Sequence, residues 1–101
     1  MIVVRNVFRL KFGKAREAAE IWKDGLAFAK KEKFGIAPAR LLTDLAGSNF
    51  YTIVFETTHE SLADYENAAK KMLGNAEWKN WYAKFVPLVE SGHREIFNIA
   101  G

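Results

Sequence analysis

The run IVVRNVFRLK, residues 2–11, alternates so as to present two unlike faces. In an extended chain Ile2, Val4, Asn6, Phe8 and Leu10 share one side, and Val3, Arg5, Val7, Arg9 and Lys11 share the other. The first side is a core face interrupted by one carboxamide. The second mixes valine with cations, which suits neither a dry core nor a plainly solvated surface. A first strand with two informative faces needs a layer on each, which the rest of the chain must supply.

Gly13 breaks the alternation, and helical spacing of Ala15, Ala18, Ala19, Trp22, Leu26 and Ala29 predicts an amphipathic helix over residues 14–33. The lysines that end it complement the helix dipole and need no binding role. Gly35 and Pro38 punctuate the exit, and a strand is expected over Ala39 to Leu45. Gly47, Ser48 and Asn49 then turn the chain into FYTIVFET, residues 50–57, which is β-branched and aromatic throughout and reads as the second arm of a hairpin. Because both faces of this third strand are apolar, it belongs inside a sheet covered twice.

Thr57 and Glu60 have capping-box spacing and are expected to start a second helix with Leu62, Tyr65, Ala69, Met72 and Leu73 on its inward stripe. Gly74 and Asn75 interrupt it. A short third helix carries Trp78, Trp81, Tyr82 and Phe85 and is closed by Pro87. His93 to Ile99 alternates as a last strand. The order strand, helix, strand, strand, helix, strand predicts an α+β, ferredoxin-like βαββαβ fold over residues 1–101 as a single domain: a four-stranded antiparallel sheet with helices on one face. The bare face would carry Val3 and Val7 with Tyr51, Ile53 and Phe55 or their alternates, more apolar surface than a lone soluble chain exposes. A second copy packed face to face about a two-fold axis is the expected remedy. Arg5, Arg9, Glu56 and Arg94 or Glu95 would pair at that interface.

Composition narrows the function. The 101 residues are 50% hydrophobic and 14% aromatic, which argues against disorder, and they include no cysteine, so thiolate metal sites and disulfides are excluded. The start shows no leader pattern, and no apolar run is long enough to span a bilayer. A cytoplasmic protein with no membrane partner is therefore expected. A net charge of +3, spread over several elements, is too weak a footprint for nucleic acid. RNA-recognition domains share this strand order, but Val3 stands where a stacking aromatic is needed, and Phe50 and Tyr51 are adjacent instead of alternate. Only two histidines are present, far apart and with no carboxylate at ligand spacing, so no metal site is expected.

Asn6 is the leading candidate site residue, since a buried carboxamide without partners costs about 1 to 3 kcal/mol. The aromatic segment around Trp78, Trp81 and Tyr82 has a plain reading as core and a second as a pocket wall with polar tips. His93 is a candidate acid or base if its ring enters a cavity.

The Phe12-Gly13-Lys14 turn, the passage VFETTHESL over residues 54–62 and the aromatic segment from Glu77 to Phe85 together resemble the dimeric α+β barrel superfamily, with NIPSNAP-like and antibiotic-biosynthesis-monooxygenase-like proteins as its nearest relatives. The resemblance spans nearly the whole chain. It implies a homodimer whose two sheets form a barrel with helices outside, and in each subunit a pocket between sheet and helices for a small apolar or aromatic ligand. In haem-degrading members an asparagine, a tryptophan and a histidine make the site. Asn6 matches the first, Tyr65 falls at the second, and Trp81 and Tyr82 occupy the region of the third, so no cofactor is expected. The cofactor-independent oxygenases imply instead a catalytic Asn6 with Tyr65, Trp78, Trp81 and Tyr82 lining the substrate. A non-catalytic binding or assembly protein is the alternative.

Overall fold

The computed structural model describes residues 1–32, 39–47 and 50–101. Lys33, Gly35, Pro38, Ser48 and Asn49, which figured in the expected helix end and turns, lie outside the described residues. The strands are β1 (Ile2–Leu10), β2 (Ala39–Thr43), β3 (Thr52–His59) and β4 (Val89–Asn98), and the helices are α1 (Ala15–Glu32), α2 (Leu62–Leu73) and α3 (Ala76–Phe85). The sheet is antiparallel with order β2-β3-β1-β4, so β1 and β3 are central, as the ferredoxin-like reading requires.

The helix-covered face forms because residues of like parity converge on it. Val4, Leu10, Ile53 and Phe55 are buried from the sheet, and Ala18, Trp22 and Ala29 from α1. Trp22 is the hub: its ring lies 4.6 to 5.3 Å from those of Trp81, Phe55 and Phe85, and the small alanines on α1 let the sheet approach closely enough for this packing. Gly25 is buried without a side chain because the Trp81 indole occupies the place where a Cβ would be.

The bare face is set by register. Arg5 lies opposite Glu56 on β3 and Glu95 on β4, and Val7 lies opposite Val54 and His93. It is the alternates, Thr52, Val54, Glu56 and Thr58, that share this face; Ile53 and Phe55 point under the helices. Leu42 and Arg40 join it from β2. Glu56 accepts hydrogen bonds from Arg5 Nε at 2.9 Å and Arg40 Nε at 2.6 Å. Burial alone would raise its carboxyl, but the two guanidinium bonds outweigh burial and hold it below the usual carboxylate range. Within the single chain Arg5 and Glu56, both expected at the interface, already pair, and Arg94 turns to the other face.

Several boundaries differ from the sequence reading: β2 ends at Thr43 and not at Leu45, and three other differences have a local reason. Tyr51 adopts φ 58, in the left-handed region, so β3 starts at Thr52 and not at Phe50. The capping box at Thr57 and Glu60 does not form: β3 runs on to His59, and Ser61 caps α2, its Oγ accepting from the Asp64 amide at 3.2 Å. Pro87 does not close α3 directly but sits in a 3-10 turn, Val86–Leu88, and β4 begins at Val89, earlier than expected. Among the described residues no helix is long and apolar enough to cross a membrane.

Candidate functional site

Between the sheet and α2 and α3 lies a cavity of about 250 Å³. Its inner wall is apolar: Phe8 and Phe55 from the sheet, Trp22 from α1, Ala68 and Met72 from α2, and Trp78 from α3. Four of the expected site residues, Asn6, Tyr65, Trp78 and Tyr82, meet there. The exposed members of the lining, Leu73, Lys79 and Arg94, mark its rim.

Register explains the polar end. Asn6 sits in mid-β1 opposite Phe55 on one side and Arg94 on the other. Its Oδ1 accepts from Arg94 Nε at 2.7 Å, so the carboxamide on the apolar face has a partner one strand away. The Arg94 guanidinium also lies 5.8 Å from the centre of the Tyr65 ring, in cation–π range. Burial raises the Tyr82 phenol above its ordinary value, and the charge of Arg94 offsets part of that rise, so Tyr82 is a protonated hydroxyl at neutral pH.

At the end of β3, His59 packs edge-on against Tyr65 with ring centroids 5.3 Å apart. Its Nε2 and Thr57 Oγ1 are 2.9 Å apart, and its Nδ1 is buried with no partner among the described residues. Burial lowers the imidazole below its usual value and favours the neutral ring, and the charge of Asp64 offsets part of that shift. The residues present do not fit a haem: His59 is the only imidazole in the lining, one ring nitrogen is bonded to Thr57 and the other is enclosed.

Two expected residues are elsewhere. Trp81 is not part of the lining; its Nε1 donates to the Ile21 carbonyl at 2.8 Å and its ring fills the space over Gly25, a packing role. His93 has the parity of Val7 and stands on the bare face, with Nε2 3.3 Å from Glu95 Oε2, so it cannot serve the cavity as acid or base. Conversely, Thr57, His59, Lys79 and Arg94 line the cavity and were not among the expected site residues. The signal for the first two was the period of two from Phe55, which reaches Thr57 and His59 once β3 is allowed to continue.

No protein-family model matches the chain, and no curated protein does. Solved structures do. An uncharacterized NIPSNAP domain protein from Burkholderia xenovorans superposes with TM-score 0.82 at 21% identity, covering 99% of this chain and 95% of that one. A NIPSNAP family protein of unknown function from Agrobacterium tumefaciens gives TM-score 0.86 at 20% identity, over 99% and 88% of the two chains. SnoaB, a cofactor-independent oxygenase from Streptomyces nogalater, in a mutant form, gives 0.71 at 15% identity, over 99% and 93%. At these identities the similarity is one of architecture: the chain has the fold of NIPSNAP family proteins and of antibiotic biosynthesis monooxygenases.

Proposed function

We propose that the protein is a homodimer, its two sheets packed through their bare faces, and that each chain holds a small apolar or aromatic molecule in the cavity under α2 and α3. The observation that carries the ligand site is a cavity of about 250 Å³ with aromatic walls and polar groups gathered around Asn6 and Arg94. The dimer is supported by the bare face, where Val3, Val7, Val54 and Leu42 surround a carboxylate already bonded to two arginines.

A neutral probe of matching size, 2-naphthamide, tests the site by saturation-transfer NMR. Binding is expected for the unaltered chain. It is expected to vanish in Ala68→Phe, whose ring fills the cavity, while sedimentation velocity still reports a dimer. Equal binding by that variant would place the site elsewhere.

Catalysis is the second reading, favoured by the donors of Asn6, Arg94, Tyr65 and Tyr82, which suit an oxygen that becomes anionic. In cofactor-independent oxygenation the substrate supplies the electrons: its phenolate or enolate carbon is oxidised by dioxygen, a C–O bond forms, and the second oxygen leaves as water. Oxygen uptake with an oxidisable phenolic substrate, absent in Asn6→Ala, separates this reading from a binding or assembly protein.

A further inference from the structure

The cavity lining is unbalanced in charge and in hydrogen-bonding type. It includes two cations, Arg94 and Lys79, and no carboxylate. Arg94 is in no ion pair among the described residues: its Nε is spent on Asn6 Oδ1, a neutral acceptor, and the remaining guanidinium N–H groups have no protein acceptor among those residues. The Asn6 amide N–H groups are likewise without an acceptor there. Tyr82, held protonated, adds a hydroxyl donor. Asp64, whose charge acts on His59 from the first turn of α2, does not line the cavity. On the bare face, by contrast, both Arg5 and Arg40 have Glu56.

We propose that the molecule this cavity takes is a small organic carboxylate with an apolar body. The proposal rests on the reading of the cavity as a ligand site and adds the ligand's charge and orientation. The two oxygens of a carboxylate match the free N–H groups of a guanidinium, and the Asn6 amide lies beside them as a further donor. The apolar body then extends toward Phe55, Met72 and Trp78. A cavity of about 250 Å³ exceeds the ~150 Å³ that holds benzene, which leaves room for two fused rings.

Titration calorimetry with 2-naphthoate and with the isosteric, uncharged 2-naphthamide tests this. The carboxylate is expected to bind about 10-fold more tightly than the amide, because charge-assisted hydrogen bonds replace neutral ones. Raising the ionic strength should weaken the carboxylate and leave the amide unchanged. In Arg94→Met, which keeps an unbranched stem near Tyr65, the ratio is expected to fall to about one, because the carboxylate loses more affinity than the amide. Circular dichroism and sedimentation would establish that the variant is folded. An amide that binds as tightly as the carboxylate overturns the proposal and leaves the ligand site standing. A carboxylate preference that persists in Arg94→Met overturns it too. Failure of both probes to bind the unaltered chain overturns the proposal together with the ligand site.

Discussion

On the helix-covered face the exposed cation, Arg94, meets a carboxamide and keeps donors to spare, whereas on the bare face Arg5 and Arg40 converge on one carboxylate. The same residue type thus stands in two different charge environments. Cations bonded to a carboxylate are less costly to cover with another apolar surface than unpaired ones, while an unpaired cation at the rim of an apolar cavity suits a solute that brings the missing sign. In the proposed assembly one face meets a second sheet and the other holds a small molecule.

The largest expected effect breaks the covered face. Trp22→Ala removes the ring that joins Phe55, Trp81 and Phe85, and should lower stability by about 3 to 5 kcal/mol in urea melts. The next tests the bare face. With Arg5 and Arg40 side chains 41% and 66% exposed in the single chain, Glu56→Gln would cost about 1 kcal/mol or less were the face open to solvent. Covered by a partner sheet, the same change strands two buried cations, and the dimer should lose about 3 kcal/mol or more. Sedimentation with denaturant melts at several protein concentrations reads the difference.

Asn6→Ala should cost about 1 kcal/mol or less in stability, since Arg94 can turn to water, but should weaken 2-naphthamide binding roughly 5- to 10-fold. A variant that loses stability and keeps its affinity would make Asn6 a structural residue only. The smallest effect is on pH dependence, and it separates the faces by window. His59 is held neutral in the fold while the unfolded chain takes up its proton near ~6.5, so stability should begin to fall as the pH drops below that value. Glu56 acts lower: its depressed carboxyl stabilises the fold above the ordinary carboxylate range, and that contribution is lost as the pH falls through its folded value. His59→Phe should flatten the upper window and leave the lower one in place.

Element order and the covered face could be read from the sequence because they depend on local periodicity: the alternation of Ile2 to Leu10, the stripe of alanines around Trp22, the hydrophobic third strand. Asn6 could be found because it breaks a pattern. Residues that depend on where an element ends were harder. Thr57 and Glu60 have the spacing of a cap, yet the Thr57 hydroxyl is engaged with His59, and Ser61 takes the capping role, which hid two cavity residues. His93 and Arg94 are neighbours on an edge strand, and only the pairing of Arg94 with Asn6 decides which of them enters the cavity. Trp78 and Trp81 are one helical turn apart, and their separate jobs follow from Gly25 on another helix, which leaves room for the second indole and not the first.

The division of labour between the faces is tested most directly by mapping amide and indole chemical shifts on titration with 2-naphthamide. The account predicts changes at the indole groups of Trp22 and Trp78 and along Asn6, Thr57, His59 and Ala68, with Val7, Val54 and Glu56 unmoved. Shifts centred on Arg5, Val7 and Glu56 would contradict it, placing the small molecule on the face assigned to the second chain.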